Sequence, residues 1–282
     1  MEMERKKNNL VKPFVKWAGG KRQLIDEIKK YIPENISTYY EPFVGGGAVL
    51  FELQPNKAVI NDVNVHLYNV YNVIKNNVEE LIEDLKQHKN EEDYYYKMRA
   101  KDRTDEFDGM TDVQKASRIL YLNKTCFNGL FRVNSSGEFN VPFGRYKNPS
   151  IVNEPVLRAV SYYLNNNNIA ILNVDFEEAI KGMRKQAFVY FDPPYHPLSD
   201  TSSFTGYTLD GFDEKDQIRL RKLCDKLNKR GCRFLLSNSS AKFIIDLYDH
   251  KDYKIDYVGA NRSINSDASS RGEVKEVLVR NY

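Results

Sequence analysis

The spacing of apolar and polar residues divides the chain into stretches of two kinds. Over residues 1–64 and again over 152–282, short apolar runs of β type alternate with helical segments. Over residues 65–124, apolar residues recur instead at the three- and four-residue spacing of amphipathic helices. Strands that alternate with helices are typical of a largely parallel α/β sheet. We therefore predict an α/β sheet domain from residues 1–64 and 152–282, interrupted by a mainly helical insertion at residues 65–151.

The apolar runs of the two outer stretches give the individual elements. Strands are predicted at residues 58–60, 169–174, 187–190, 232–238, 253–258 and 274–279, with a further short strand just before Gly45. Helices are predicted at about residues 22–31 and 214–228. A Ser/Thr-rich loop is expected over residues 199–208. Arg262 and Arg271 lie in another polar loop, where phosphate contact and simple solvation are equally open readings.

The insertion ends in a segment with the pattern of a β-hairpin. Two β-type runs flank Asn134-Ser135-Ser136-Gly137, and turn residues between such runs predict a hairpin. Its cations, interleaved with aromatic residues, are Lys124, Arg132, Arg145 and Lys147. A two-stranded ribbon fits the DNA major groove, and Arg is the usual reader of guanine. The hairpin is therefore a candidate DNA-reading element, with an ordinary solvated surface hairpin as the alternative.

Composition narrows the class of protein. The 282 residues are 41% hydrophobic and 29% charged, and no apolar run approaches the roughly 20 residues that span a bilayer. We expect no membrane association and no secretory signal at the charged start. Cys126, Cys224 and Cys232 are odd in number and form no CxxC pair, which favours a reducing cytoplasm and no metal site. A net charge of +3 is only mildly basic, so a nucleic-acid partner must be argued from local clusters.

The predicted strand at residues 187–190 leads directly into Asp192-Pro193-Pro194-Tyr195. In open α/β sheets, ligands bind beyond the carboxyl ends of the strands. Tyr195 offers a face for stacking, while the Asp192 carboxylate and the Pro193 carbonyl offer two acceptors for the hydrogens of an amine. Such acceptors would free the lone pair of an amine on an aromatic ring, which is otherwise a poor nucleophile. The alternative is a Pro-rich turn with a capping Asp.

A glycine-rich loop precedes a helix near the start of the chain. Gly45, Gly46 and Gly47 follow a β-type run, and glycines allow a backbone to approach a ligand closely and to turn into a helix. Asp62 ends the next predicted strand, 17 positions after Gly45. An acid near this distance holds the ribose hydroxyls in many nucleoside sites. The ordered set favours a nucleoside site over a flexible turn and a strand-end cap.

Four motifs in one order resemble a known family. They are Lys16-Trp17-Ala18-Gly19-Gly20-Lys21, Glu41-Pro42-Phe43-Val44-Gly45-Gly46-Gly47, the block Phe139 to Lys147, and Asp192-Pro193-Pro194-Tyr195. The order resembles the Dam-type, alpha-group (D12 class) adenine-specific DNA methyltransferases, above all those acting on GATC, and the resemblance extends over residues 13–282. It implies a Rossmann-like S-adenosylmethionine-dependent methyltransferase sheet with an inserted helical target-recognition domain, residues 65–151, that carries a β-hairpin.

The resemblance also implies a cofactor and a catalytic loop. The cofactor is S-adenosylmethionine, released as S-adenosylhomocysteine, with no metal. By resemblance, Asp62 holds its ribose, and Asp175 and Phe176 surround its adenine ring. The full set of implied cofactor contacts is Trp17, Lys21, Glu41, Pro42, Phe43, Val44, Gly45, Gly46, Gly47, Asp62, Asp175, Phe176 and Asp192. The implied catalytic residues are Asp192, Pro193, Pro194 and Tyr195.

For DNA, the resemblance assigns roles to the loop before the first helix and to the hairpin. Lys16 matches a residue that reaches the first guanine, Arg132 matches a guanine reader, and Leu130 and Pro142 match apolar contacts to a thymine methyl. Phe127 stands where the family often has Tyr and would wedge into the stack, beside Asn128, which faces the orphaned thymine. Further DNA contacts are assigned to Asn134, Arg145, Tyr146 and Lys147.

The expected reaction is transfer of a methyl group to the N6 amine of an adenine in double-stranded DNA, within GATC. The adenine must leave the stack, which costs a few kcal/mol, and the amine then needs positioning within about 3–3.5 Å of the methyl group rather than a strong base. Rival readings are an enzyme modifying cytosine N4 or protein glutamine, or a non-catalytic DNA-binding relative. We expect a monomer in the cytoplasm of a bacterial or phage-infected cell, with a companion restriction endonuclease as a further partner.

Overall fold

The structure is a computed structural model that describes residues 7–198, 211–261 and 273–282. The strands in these ranges are β1 (Tyr39–Glu41), β2 (Lys57–Asn61), β3 (Asn168–Leu172), β4 (Phe188–Phe191), β5 (Arg233–Ser239), β6 (Lys254–Asn261) and β7 (Glu273–Arg280). The α-helices are α1 (Ile25–Lys30), α2 (Ala48–Leu53), α3 (Val65–Asn76), α4 (Val78–Leu85), α5 (Glu92–Ala100), α6 (Asp112–Thr125), α7 (Glu154–Asn165), α8 (Phe176–Ala179), α9 (Glu214–Lys229) and α10 (Lys242–Tyr248).

The chain divides into two compact units. The first contains Met1–Gly20, Gly45–Asn56 and Asp62–Asn173, and the second contains Lys21–Val44, Lys57–Asn61 and Val174–Tyr282. These bounds reflect where the chain packs on itself, and they carry no information on function. The predicted division into a catalytic and a target-recognition domain therefore stays a prediction.

The second unit contains a sheet in the order β2-β1-β4-β5-β7-β6. The first four strands are parallel, and β7 runs antiparallel to both of its neighbours. All four residues of β4 are buried, as expected for a central strand that is covered on both faces. Side chains of this kind stabilise the fold by about 1.5–3 kcal/mol each. The predicted α/β sheet and its central strand are confirmed.

Helix α9 and helix α10 cover the sheet within the same unit. Leu220, Leu223 and Leu227 of α9 recur at helical spacing and join the buried cluster around Phe191 and Phe234. The Asp213 side chain caps α9 by accepting a hydrogen bond from the backbone N–H of Asp216. The helix therefore begins at Glu214, where the sequence predicts its start.

The first unit is built mainly of helices, with β3 as its strand. Helix α6 is its most deeply buried element, because Ala116 through Asn123 are all buried. The helix starts with a capping box, in which the Gln114 N–H donates to the Thr111 hydroxyl and the Thr111 N–H donates to the Gln114 side chain. The helical character predicted for residues 65–124 is confirmed.

The predicted hairpin is present in a reduced form. Its turn is closed by hydrogen bonds from the Asn134 N–H to Glu138 O and from the Asn140 N–H to Arg132 O. The described residues of this segment form two isolated bridges, Val133 with Phe139 and Cys126 with Phe143, instead of full strands. Positive φ angles at Asn128 (55°) and Gly129 (64°) interrupt the first run, because an extended strand cannot continue through such a conformation.

Three further sequence predictions need correction or lie outside the described residues. The helix predicted at residues 22–31 is a 3-10 turn at Lys21–Gln23 followed by α1, while α7 and α10 were not foreseen. The loop at residues 199–208, Arg262 and Arg271 fall outside the described ranges. Within those ranges no helix is both long and apolar enough to cross a membrane.

Candidate active site and DNA-recognition elements

In the second unit, the loop after β4 places a carboxylate against a buried ammonium group. The Lys21 Nζ lies 2.8 Å from Asp192 Oδ1, and the side chains are 4% and 18% exposed. Burial raises the pKa of Asp192 to about 6, and the Lys21 ammonium opposes the rise. Asp192 is therefore ionised at neutral pH and remains able to accept further hydrogen bonds.

Tyr195 is held at its hydroxyl and at one face of its ring. Its hydroxyl donates to Glu276 Oε2 at 2.6 Å, and the Lys21 Nζ lies 4.6 Å from the ring centroid. Burial raises the pKa of the Tyr195 phenol well above its usual value, so the hydroxyl stays protonated and acts as a donor. The loop thus presents an immobilised aromatic ring and an ionised carboxylate within one unit.

Buried amides hold the other side of this loop. Gln217 Nε2 donates to Pro194 O at 2.9 Å, and Asn238 Nδ2 donates to Gln217 Oε1 at 3.0 Å. Asn238 Oδ1 accepts from the His196 N–H at 3.2 Å. Gln217 and Asn238 are fully buried, and the sequence analysis missed them together with Glu276. The only available signal was a polar residue within an apolar helix face or strand.

Two further predicted cofactor residues of this unit, Phe43 and Phe176, belong to an aromatic cluster. The centroid of the Phe43 ring lies 5.5 Å from that of Phe176 and 5.6 Å from that of Phe212. Asp175 caps α8, and both of its oxygens lie within hydrogen-bond distance of Arg219 Nη2, at 3.1 and 3.0 Å.

The predicted backbone stretch from Glu41 to Val44 also belongs to this unit. The Glu41 carboxylate is buried and accepts from the Tyr39 hydroxyl at 2.9 Å. The Pro42 carbonyl accepts from Asn61 Nδ2 at 3.0 Å, and the Val44 N–H donates to Asn61 O at 2.9 Å. Asn61 at the end of β2 therefore fixes the entry to the glycines.

In the first unit, the glycine loop is joined to Asp62. The Gly45 N–H donates to Asp62 Oδ2 at 3.0 Å, and the Asn64 N–H donates to Asp62 Oδ1 at 2.9 Å. Burial raises the pKa of Asp62 to about 6, and these two N–H groups oppose the rise. The loop is closely packed, because a Cβ on Gly47 (φ 74°) would lie 2.6 Å from Tyr71 Oη.

Trp17 packs against the same loop. A Cβ on Gly45 would lie 3.0 Å from Trp17 Cδ1, and one on Gly46 would lie 3.4 Å from Trp17 Cβ. The Trp17 ring also stacks on Phe131 of the hairpin, with centroids 5.0 Å apart. Trp17, the glycines and Asp62 are thus brought together, as the nucleoside-site reading requires.

The predicted DNA residues of the first unit are largely at the surface. Arg132 is exposed while its neighbour Phe131 is buried, because successive side chains of an extended segment point to opposite sides. Phe127 is 52% exposed and stands next to Asn128 in its positive-φ conformation. Pro142, Arg145 and Lys147 are exposed, and Leu130 is partly buried.

Several of the predicted DNA residues already have partners within the protein, among them Arg132, which donates to Asn140. The Asn134 side chain donates to Glu138 Oε2 at 2.6 Å and accepts from the Ser136 and Glu138 N–H groups, so its amide holds the turn. The Lys16 Nζ lies 5.5 Å from the centroid of the Tyr146 ring. Their assignment to DNA stays a prediction.

The α/β sheet and the Asp-Pro-Pro-Tyr loop at the end of β4 agree with the class that the sequence resembles, an α/β methyltransferase that modifies an amino group. The family model for D12 class N6 adenine-specific DNA methyltransferases matches residues 17–264. The chain belongs to that family, and it is an adenine-specific DNA methyltransferase. The family match decides against the alternatives, which were an enzyme acting on cytosine N4, an enzyme acting on protein glutamine and a non-catalytic DNA-binding relative.

Individual relatives agree with the family. The chain is 49% identical to the type II methyltransferase M1.LlaDCHI of Lactococcus lactis subsp. cremoris, covering 99% of this chain and 98% of the relative. It is 45% identical to the type II methyltransferase M.MjaIII of Methanocaldococcus jannaschii, covering 96% and 99%. The DNA adenine methylase of Haemophilus influenzae is 38% identical, covering 95% and 93%.

Proposed function

We propose that the chain transfers the methyl group of S-adenosylmethionine to the N6 amine of the adenine of GATC in double-stranded DNA, after that base has turned out of the helix. The observation that carries the proposal is the Asp192 carboxylate, ionised and held by Lys21, beside the fixed ring of Tyr195. A flipped adenine needs a stacking face and acceptors for its amine, and this loop has both.

The residues of the first unit fit the proposed cofactor. Each Asp62 oxygen accepts one backbone N–H and keeps a further lone pair for a ribose hydroxyl. A Cβ at Gly47 would collide with the Tyr71 hydroxyl, and one at Gly45 would lie 3.0 Å from Trp17 Cδ1, so the packing favours glycine at both positions of the loop. When bound, S-adenosylmethionine supplies an electrophilic methyl group on a sulfonium.

The protein's own part in the reaction is positioning and charge. Asp192 accepts a hydrogen bond from the target amine and so draws its lone pair out of the ring, and the Pro193 carbonyl accepts the second. Tyr195 stacks on the base, and Glu276 keeps its ring from rotating. The bond to the amine nitrogen forms as the methyl–sulfur bond breaks, and the methylated amine then releases its extra proton to solvent. Since a neutral amine attacks a cation, these residues have mainly to fix geometry, an effect that corresponds to effective molarities of about 10⁵–10⁸ M.

Methylation in cells and in vitro tests the proposal directly. Plasmid from a strain without its own adenine methylation should become resistant at GATC to an endonuclease blocked by N6-methyladenine once the chain is expressed. Labelled methyl groups should enter duplexes with GATC and not duplexes in which that adenine is replaced. For base flipping, 2-aminopurine at the target position should brighten on binding. Equal transfer rates to adenines outside GATC would contradict the proposed sequence specificity and leave the proposed adenine methylation standing.

We expect different signatures from two arginines of the recognition segment. Arg132 can fork onto guanine O6 and N7, a pair that discriminates by about 1–3 kcal/mol, so Arg132→Ala should relax the choice at one outer base pair of GATC. Arg145 is exposed, and its Nη2 lies 3.4 Å from Glu92 Oε1. It is a candidate phosphate contact. Arg145→Ala should weaken binding to all sequences and flatten the salt dependence by about one counterion.

A panel of single-base variants of GATC, methylated by each mutant, separates these outcomes. The two substitutions serve as controls for each other, because both remove one guanidinium from the same segment. Equal loss on every variant by Arg132→Ala, with its preference unchanged, would show that Arg132 is only a backbone clamp.

The pKa of Asp192 predicts a pH dependence. The ionised carboxylate is the form that accepts from the amine, and with a pKa of about 6 it predominates above that pH. We therefore expect the single-turnover rate of methyl transfer at saturating cofactor to be flat above about pH 7 and to fall close to tenfold per unit below pH 6. Single-turnover rates from pH 5 to 8 measure this, with DNA affinity followed in parallel. A rate that rises as the pH falls would contradict the assignment.

We further propose that the chain acts as a monomer and is paired with an endonuclease cutting the same sequence. Two of the relatives are named type II methyltransferases, which supports such a pairing. Light scattering with and without duplex DNA tests the monomer. The pairing is tested by expressing a neighbouring gene for a candidate endonuclease with and without this chain. Cells that lack the chain should lose viability, because their unmethylated genome would be cut.

A further inference from the structure

A charged cluster on the helical part of the first unit forms hydrogen bonds with the backbone of the hairpin. We define the hairpin hub as Asp102, Arg103 and Arg118. Asp102 and Arg103 lie in the 3-10 turn Lys101–Arg103 that follows α5, and Arg118 lies on α6. In the sequence, Lys101-Asp102-Arg103 looks like an ordinary solvated charge run. The structure places it against the backbone of Phe139.

Both backbone polar groups of Phe139 are satisfied by this hub. The Phe139 N–H donates to Asp102 Oδ2 at 2.8 Å, and Arg103 Nη2 donates to Phe139 O at 2.8 Å. Val133 and Phe139 form a bridge flanked by the Asn134–Glu138 and Arg132–Asn140 hydrogen bonds, which makes them a non-hydrogen-bonded pair. In such a pair the N–H and C=O of Phe139 point away from Val133. The two side chains therefore take the place of a neighbouring strand.

Arg118 anchors the hub from the core. Its side chain is 1% exposed, and Nη2 lies 2.8 Å from Asp102 Oδ2. Its other contacts are to helix carbonyls, from Nε to Met98 O and from Nη2 to Arg99 O, both at 2.7 Å. A buried charge of this kind costs free energy unless it is paired and hydrogen-bonded. Arg118 meets this condition through Asp102 and the two carbonyls, and the same contacts fix the orientation of Asp102.

The next residue along the hairpin connects the hub to Arg132. Asn140 follows the clamped Phe139, and its Oδ1 accepts from Arg132 Nε at 2.7 Å, while its carbonyl accepts from Arg132 Nη2 at 3.2 Å. The Phe139 ring is buried and lies 5.8 Å from Phe131, the residue before Arg132. A shift of Phe139 along the hub would move Asn140 and so the exposed guanidinium.

We propose that Asp102, oriented by Arg118 and assisted by Arg103, is a positioning residue that sets the register of the hairpin and thereby the sequence discrimination of Arg132. The inference rests on the proposed role of Arg132 as a base reader. It assigns to a residue outside the proposed DNA contacts an effect on which sequences are methylated. A merely structural residue would instead change all rates together.

The test compares single-turnover methylation of a GATC duplex with that of duplexes altered at one outer base pair. In Asp102→Asn an amide N–H₂ replaces one acceptor and faces the donors of the hub, so we expect the ratio of the two rates to fall about tenfold. Arg103→Gln keeps the buried Arg118–Asp102 pair and should lower the ratio by a smaller factor, about threefold. Asp105→Asn removes the same charge three residues away, at an exposed position, and should leave the ratio unchanged.

Arg132→Ala, alone and combined with Asp102→Asn, completes the set. Because both act through the same guanidinium, the double variant should discriminate no worse than Arg132→Ala alone. Melting temperatures identify any variant that does not fold, and if Asp102→Asn fails to fold, Arg103→Gln decides. If Arg132→Ala lowers the ratio and neither hub variant does, the hub proposal is overturned while the hairpin reading stands. If Arg132→Ala also keeps the ratio, the proposed role of Arg132 as a base reader is wrong, and the hub proposal is wrong with it.

Discussion

Asp192→Ala is expected to abolish methyl transfer. The substitution removes one of the two acceptors proposed for the target amine, and it also removes the carboxylate that lies 2.8 Å from Lys21 Nζ. Loss of a positioned acid or base typically costs 10²–10⁴-fold, which is about the smallest effect we expect here. Removing one partner of a buried pair can also destabilise a protein by about 3–5 kcal/mol, so activity has to be measured on folded enzyme.

Two measurements separate chemistry from stability for Asp192. Single-turnover transfer of a labelled methyl group gives the rate, and thermal melting followed by circular dichroism gives the folded fraction at the assay temperature. Asp192→Asn is the matched control, because it keeps the shape and one acceptor oxygen while losing the charge. It should retain more activity than Asp192→Ala. Turnover by folded Asp192→Ala within tenfold of the unaltered chain would exclude Asp192 from the catalytic step.

Asp62→Ala should lower the affinity for the cofactor by about 10–100-fold. Hydrogen bonds to a charged group contribute about 1.5–3 kcal/mol each, and the Asp62 carboxylate is proposed to accept from the ribose hydroxyls. The substitution also takes the acceptors from the Gly45 and Asn64 N–H groups, which loosens the glycine loop. Both consequences act in the same direction, and DNA binding without cofactor should be unaffected.

Calorimetry with S-adenosylhomocysteine measures the effect, and an analogue that lacks one ribose hydroxyl separates the two causes. The unaltered chain should bind the analogue more weakly than S-adenosylhomocysteine. Asp62→Ala should bind both equally, because the partner of the missing hydroxyl is gone. Unchanged affinity for S-adenosylhomocysteine in Asp62→Ala would remove Asp62 from the cofactor site.

The sequence was sufficient for the elements whose signal is local. The strand before Asp192 is an uninterrupted apolar run, and such a run in an α/β pattern is most simply a central parallel strand. The same holds for the glycines before α2, since few other residues adopt φ of 74°, as at Gly47. The motifs around these elements were also those that indicated the family.

The missed residues depend on register and tertiary packing. Glu276 follows the alternating pattern of a strand, and nothing in that pattern indicates that its carboxylate meets Tyr195. Gln217 lies on the apolar face of α9, but its position there does not show that its amide will bind the carbonyl of Pro194. The break in the hairpin comes from a positive φ at Asn128, a conformation that a non-glycine residue adopts too rarely to be predicted.

Trp17, which stacks on Phe131 and packs beside Gly45, gives the enzyme a built-in optical reporter. It is the single tryptophan of the chain, so the indole emission of the protein has one origin. That origin contacts both the glycine loop and the hairpin of the first unit. Stopped-flow fluorescence can therefore follow events at either element without any label, and the order in which nucleoside and duplex arrive becomes a question of kinetics.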